Sequence, residues 1–313
     1  MMSSRWLLLP LKTLIAGGLL WWLTDSGRMD LAPLAEKAPG PIYVVGFLIY
    51  CLSFLPQSVR WWWLLGAQKV EIALIRIIQW TLIGGFFGLV LPGGAGTELA
   101  RGYYVFRSSP NARTAALSTV VLDRIIGLFA LVFLGVLAFL GLLADDAPLN
   151  INAALMGVAA VALFLGACLG FGLIGFSPSR RLILSLVPRR FAEPVNSMVH
   201  AYLHGKRVIA HGFILSVGAH LMLMGSFMIA GYILGTPLGW REVFLIVPLV
   251  TISNIIPISP AGIGVGEVTA SFLFAQFDIA NGAAIMLVVR MWMILSQLLG
   301  GLVYLFYRDS LSK

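Results

Sequence analysis

Leu91-Pro92-Gly93-Gly94-Ala95-Gly96-Thr97-Glu98 and Pro260-Ala261-Gly262-Ile263-Gly264-Val265-Gly266-Glu267 are the two stretches whose reading decides the fold. Each runs from Pro through closely spaced Gly to Glu. Each interrupts an apolar segment, Ile77–Thr97 and Val243–Phe277, where a plain helix would otherwise continue. Pro removes a backbone donor and Gly permits sharp, close-packed turns. The segments are therefore expected to break and fold back. Pro92, Gly93, Gly94 and Gly96 would build the first turn, and Pro257, Pro260, Gly262 and Gly264 the second. Non-helical backbone at membrane depth is tolerated only when buried in protein or lining a polar cavity. The alternative is a pair of ordinary Pro-kinked helices, because Gly and Pro are common in membrane helices.

The rest of the chain places these stretches in lipid. Of its 313 residues, 59% are hydrophobic and 11% charged, with a mean hydropathy of +0.95. Soluble domains carry about 25% charged residues, so the chain reads as an all-α polytopic membrane protein, a single integral membrane domain over 1–313. A crossing needs roughly 20 apolar residues. Long apolar runs at Leu7–Leu23, Pro41–Leu55, Ala115–Leu143, Ile151–Phe176, Val208–Leu234 and Gly282–Tyr307 read as six full transmembrane helices. The first two are short, so their ends extend into polar neighbours. The net charge of +8 does not indicate nucleic-acid binding, since Lys and Arg sit mostly in short gaps, where cytoplasmic loops collect them. The positive-inside rule puts both termini and the basic segment 177–207 in the cytoplasm, with Asp145 and Asp146 outside. Ile77–Thr97 has basic gaps on both sides (Arg60, Lys69 and Arg76 before, Arg101, Arg107 and Arg113 after), so it enters from the cytoplasm and returns there. Val243–Phe277 dips in from outside.

Two re-entrant hairpins then complete the architecture. Repeat one, about 41–143, and repeat two, about 208–307, share the order span, broken segment, span, but in opposite senses. That is the mark of inverted-topology repeats, whose broken helices meet near the midplane and build the binding site.

Buried charges single out that site. An ionised group at the bilayer centre costs about 2.5–3.5 kcal/mol, so each needs a partner or a function. At about 1.5 Å per residue, Arg124 and Arg290 lie roughly 13 and 12 Å inside their helices, approaching the midplane from opposite faces. Glu98 and Glu267 are their expected counter-ions. Asp123 points to a different side from Arg124 and needs another donor, Arg101 or a hairpin N–H. For any one of these residues, a salt bridge that only fixes a hairpin is the competing reading. For the set, a cavity that binds an anionic head group is favoured, because guanidinium groups and helix N-termini suit phosphate. Ser253 and Asn254 would line the second hairpin or hydrogen-bond between helices.

Other features read as structural. Arg60-Trp61-Trp62-Trp63 is expected to be an aromatic belt with a snorkelling Arg. His200 and His204 would share one face of an interfacial helix from about Arg189 to Lys206 rather than bind metal, and His211 and His220 carry no pattern. Cys51 and Cys168 fall inside apolar runs and read as buried thiols. Around Gly205-Lys206 the phosphate-loop spacing fails, with His200 in place of the first Gly and Arg207 in place of Ser/Thr. No nucleophile elbow or zinc signature is present. Neither cofactor nor metal is expected, and the chain reads as transporter-like rather than enzymatic.

The Pro92–Glu98 hairpin, the Asp123-Arg124 pair and the Pro257–Glu267 segment together resemble the lysylphosphatidylglycerol synthase transmembrane-region family. Its best-known member is the flippase half of the multiple peptide resistance factor. The resemblance spans nearly the whole chain. It implies a multi-pass protein of the bacterial inner membrane that moves a lipid head group between leaflets, with a homo-oligomer or a lipid-synthesis enzyme as partner. The family's soluble aminoacyl-transferase domain is not found before Lys313, so lysyl-lipid synthesis is not expected. Two other readings stay open: a membrane-embedded transferase using Glu98 or Asp123 as general base, and a non-catalytic partner of lipid enzymes.

Overall fold

The computed structural model describes residues 5–29, 32, 40–90, 95–144, 151–175, 206–256 and 258–311, and all regular structure among them is helical. Pro92, Gly93, Gly94 and Pro257, the interfacial helix expected at Arg189–Lys206, and Asp145 and Asp146 lie outside the described residues. In chain order the helices are α1 (Arg5–Asp25), α2 (Pro41–Leu52), α3 (Phe54–Ala67), α4 (Leu74–Val90), α5 (Ala95–Ser108), α6 (Arg113–Leu143), α7 (Ile151–Gly175) and α8 (Lys206–Ile233). Then follow α9 (Trp240–Ser253), a 3-10 turn (Pro260–Gly262), α10 (Val265–Ala275) and α11 (Gly282–Leu311). Among the described residues, 5 helices are long and apolar enough to cross a membrane: Pro41–Ala67, Arg113–Leu143, Ile151–Gly170, Arg207–Ile233 and Gly282–Tyr307. Their outer faces carry exposed Leu, Val and Phe, as on α7, where Leu155, Leu165 and Leu169 are all exposed. Cys168 is exposed on the same helix, contrary to the buried thiol expected there.

The second crossing corrects the sequence reading. It does not end at Leu55 but continues to Ala67, with a joint at Ser53 between α2 and α3. The polar residues along this stretch satisfy themselves on the preceding turn. Ser53 Oγ donates to Tyr50 O at 2.6 Å, Gln57 Nε2 to Ser53 O at 3.0 Å and Ser58 Oγ to Phe54 O at 2.8 Å. Arg60 therefore lies inside the crossing.

The first broken segment folds back on itself. Gly84 faces Thr97 and Arg101, while Gly88 faces Thr97 and the Phe87 carbonyl meets Gly96, so α4 and α5 run antiparallel. Any side chain at Gly96 would collide with that carbonyl. Arg101, read from the sequence as the start of a basic gap, is instead buried within α5.

The second broken segment turns between α9 and α10. Ala261, Gly262 and Gly264 take φ of 50°, 72° and 85°. Two of the three left-handed positions carry Gly, which has no Cβ to oppose the conformation. α1 crosses this turn, with the Ala16 carbonyl and Leu19 side chain against Gly264.

Packing between halves is reciprocal. α4 lies along α11, α9 lies along α6, and the 3-10 turn touches α4. One large apolar core joins α6, α8, α9, α10 and α11 through residues such as Leu134, Phe227, Ile246, Phe274 and Val288. A smaller one joins α3, α4 and α5 through Trp61, Trp80 and Tyr104.

Candidate functional site

A cavity of about 340 Å³ opens where α3, α4, α5, α6, α8, α9 and α11 converge. Its polar wall is built from Arg60 on α3, Glu98 and Arg101 on α5, and Asp123 and Arg124 on α6. Gln57, Thr81, Thr97, His220, Thr251, Asn254 and Gln297 add uncharged polar groups, and Leu128, Leu131, Leu223 and Met293 the apolar remainder.

Asp123 is the hub. It is 1% exposed and bridges two guanidinium groups, Arg60 Nε to Oδ1 at 2.5 Å and Arg101 Nη1 to Oδ2 at 2.9 Å. Of the two donors the sequence left open for Asp123, Arg101 is the one that meets it. Arg60 was missed. Instead of snorkelling from an aromatic belt, it is 5% exposed, and its Nη1 also donates to Ser216 Oγ on α8 at 2.6 Å. Trp61 is equally buried: its Nε1 donates to Thr119 Oγ1 at 2.9 Å, and the Arg101 guanidinium stacks on its ring at 4.0 Å. Only Trp62 of the three Trp keeps a substantially exposed side chain, at 38%. His220, which carries no pattern in the sequence, lines the cavity with its Nε2 2.9 Å from Gly127 O.

The two Glu–Arg pairs form, and they differ. Arg124 Nε donates to Glu98 Oε1 at 2.7 Å, with side chains 35% and 26% exposed on the cavity wall. Its Nη groups meet no partner among the described residues. Arg290 and Glu267 are sealed, at 2% and 0% exposure, and neither lines the cavity. Arg290 grips the second turn: Nε meets Glu267 Oε1 at 2.5 Å, Nη1 meets Ala261 O at 2.6 Å, and Nη2 meets Gly262 O at 3.0 Å and Asn254 Oδ1 at 3.1 Å. Glu267 Oε2 in turn accepts the Gly264 N–H at 2.7 Å. The geometry brings Glu98, Arg101, Asp123, Arg124 and Asn254 to one wall and leaves Glu267 and Arg290 behind it, holding Gly262 and Gly264 in place.

Among the described residues, no group of His, Cys, Asp and Glu is arranged to hold a metal ion. What the wall offers is charge: three guanidinium groups against two carboxylates, an excess of one positive charge. Such an excess in apolar surroundings attracts an anion.

Residues 10–301 match the family described as the lysylphosphatidylglycerol synthase TM region. The chain belongs to that family. Within the curated proteins, this member of the lysylphosphatidylglycerol synthase TM-region family is similar to a UPF0104 membrane protein of Pyrococcus horikoshii, 24% identical over 96% of this chain and 97% of the relative. A UPF0104 membrane protein of Methanothermobacter thermautotrophicus is also 24% identical, over 83% of this chain and 84% of its own. No solved structure matches. The family and the long apolar helices make the chain a multi-pass membrane protein, consistent with a lipid-related membrane function.

Proposed function

We propose that this protein is a flippase- or scramblase-like lipid translocator, in which the cavity takes an anionic phospholipid or lipid-linked head group between leaflets while the acyl chains stay in lipid. The observation that carries this reading is the excess positive charge of the wall formed by Arg60, Arg101, Arg124, Asp123 and Glu98 inside a helical membrane bundle. The half-exposed Arg124 with unoccupied Nη groups gives a head group a first contact.

In this reading α1 is a sixth crossing, both termini face the cytoplasm, and the α4–α5 and α9–α10 segments are half-crossing hairpins. The reciprocal packing of α4 on α11 and α9 on α6 supports an inverted-repeat relation between the halves. Arg290 and Glu267 hold the second hairpin, while Glu98, Arg101, Asp123, Arg124 and Asn254 face the cargo. The transmembrane helices Pro41–Ala67 and Arg113–Leu143 both contribute to the polar wall, where Arg60 meets Asp123.

The test is translocation. Purified protein in liposomes with dye-labelled phospholipid on both leaflets is exposed to an external quencher. Protein-dependent loss of the protected half is expected, slowed at least about tenfold by Arg124→Ala, the scale of one lost charged hydrogen bond. A protected half that stays intact counts against the reading. New lipid species by mass spectrometry would favour a membrane-embedded transferase instead.

A further inference from the structure

Of the titratable side chains that line the cavity, His220 is the one that can gain a proton without breaking an ion pair. Asp123 is engaged by Arg60 and Arg101, and Glu98 by Arg124. The guanidinium groups carry their protons permanently. His220, on α8, is half-buried on the cavity wall, with Nε2 2.9 Å from Gly127 O. A carbonyl only accepts, so Nε2 carries the N–H, and in the neutral ring Nδ1 is left with a lone pair. Nδ1 meets no partner among the described residues. Unlike Glu98 Oε2 and Gln297 Oε1, it keeps accessible surface.

The surroundings leave that proton without a counter-charge until an anion enters. α8 packs on α2, α3, α6, α9 and α11. From α3 comes Arg60, whose Nη1 donates to Ser216, one turn before His220 on the same face of α8. α6 brings Asp123 and Arg124, α2 brings Tyr50, and α5 adds Glu98 and Arg101 to the same cavity. Among the described residues, α9 and α11 bring no titratable side chain to it. Both carboxylates are already paired, so neither is free to balance an imidazolium. An anionic head group supplies the missing charge, and a protonated Nδ1 offers it a charge-assisted hydrogen bond. Anion binding and protonation therefore favour each other, and by linkage the coupling is reciprocal.

Resting on the translocator reading, we infer that His220 is its coupling-ion site and that the ion is a proton. Nδ1 takes one proton from water as an anionic head group enters and releases it as the head group leaves. One proton and one phosphodiester charge travel together with no net charge, so a pH gradient drives cargo from the acidic to the alkaline side.

Calorimetry on the full chain in detergent tests this apart from transport. The probe is short-chain phosphatidylglycerol, whose phosphodiester keeps one negative charge throughout the range where His titrates. Run in buffers of different ionisation enthalpy, the binding heat is expected to change with the buffer, which reports proton uptake. Affinity is expected to rise about tenfold as the pH falls from about 8 to about 6, the scale of one charged hydrogen bond. His220→Gln keeps an amide donor for Gly127 O but cannot take the proton. It is expected to remove both the buffer dependence and the pH dependence, whereas Arg124→Ala weakens binding throughout and leaves the uptake in place. If the glutamine form does not fold, a second measurement replaces it. Exchanging His200, His204 and His211 for Gln leaves His220 as the sole His, and nitrogen NMR is expected to show both its ring nitrogens protonated when lipid is bound. Binding heat independent of the buffer, uptake that persists in His220→Gln, an unprotonated Nδ1 in the lipid complex, or no binding at all overturns the inference. Proton uptake on binding with no translocation in liposomes would leave His220 as the proton site and remove the translocator reading. Translocation without proton uptake would do the reverse.

Discussion

Arg124 and Arg290 each follow a Pro/Gly turn and each pair with the Glu that ends it, yet they perform different tasks. Arg290 saturates its guanidinium on Glu267, Asn254 and the carbonyls of Ala261 and Gly262. Removing one partner of a buried pair strands a charge, at about 3–5 kcal/mol. Arg290→Ala is therefore expected to lower the thermal unfolding midpoint of the purified protein strongly. Arg124 and Glu98 are partly exposed, and an exposed pair contributes about 0–1 kcal/mol. Arg124→Ala should leave the unfolding midpoint nearly unchanged while slowing translocation. Equal destabilisation by both variants would make the first pair structural too. Asp123→Asn leaves Arg60 and Arg101 facing a neutral amide, so its destabilisation should approach that of Arg290→Ala in the same assay.

At the scale of elements, each turn has its own strain and its own fit. Ala261 holds φ of 50°, where a Cβ is unfavourable, although Arg290 uses only its carbonyl. Ala261→Gly is expected to stabilise the protein by about 0.5–1 kcal/mol, read as a higher unfolding midpoint. No change would mean that the turn gains from Ala in some other way. Gly96→Val should separate α5 from the Phe87 carbonyl and lower the midpoint. Much of this was legible in the sequence. The breaks follow from Pro and Gly backbone chemistry, and the Glu98–Arg124 and Glu267–Arg290 pairs, with Arg101 as one candidate donor to Asp123, from the cost of charge in lipid. Arg60 was not legible, because the apolar run closes at Leu55 and Arg60 beside three Trp looks like a membrane edge. The backbone-directed hydrogen bonds of Ser53, Gln57 and Ser58 let the helix continue, and no sequence pattern marks that. Nor did the sequence separate the sealed pair from the open one. That difference lies in the turn itself, whose Ala261 and Gly262 carbonyls accept from Arg290, whereas the Arg124 Nη groups meet no such carbonyls among the described residues.

For the whole molecule, the proposed reading makes the cavity the product of two short helical hairpins that enter the bundle without passing through it. Leu74–Leu89 and Pro260–Ala275 are both shorter than the crossings around them. α4 lies against α11 and α9 against α6, and in that reading the space between them is shared by the two repeats. The account stands on where the hairpin ends emerge. With Cys51 and Cys168 replaced, single cysteines at the exposed positions Glu71, Asn111, Pro237 and Asp278 are labelled by a membrane-impermeant maleimide from each side of the membrane. The account predicts Glu71 and Asn111 labelled together from the cytoplasmic side, and Pro237 and Asp278 together from the outer side. Labelling of Glu71 and Asn111, or of Pro237 and Asp278, from opposite sides would make that segment a full crossing and contradict it.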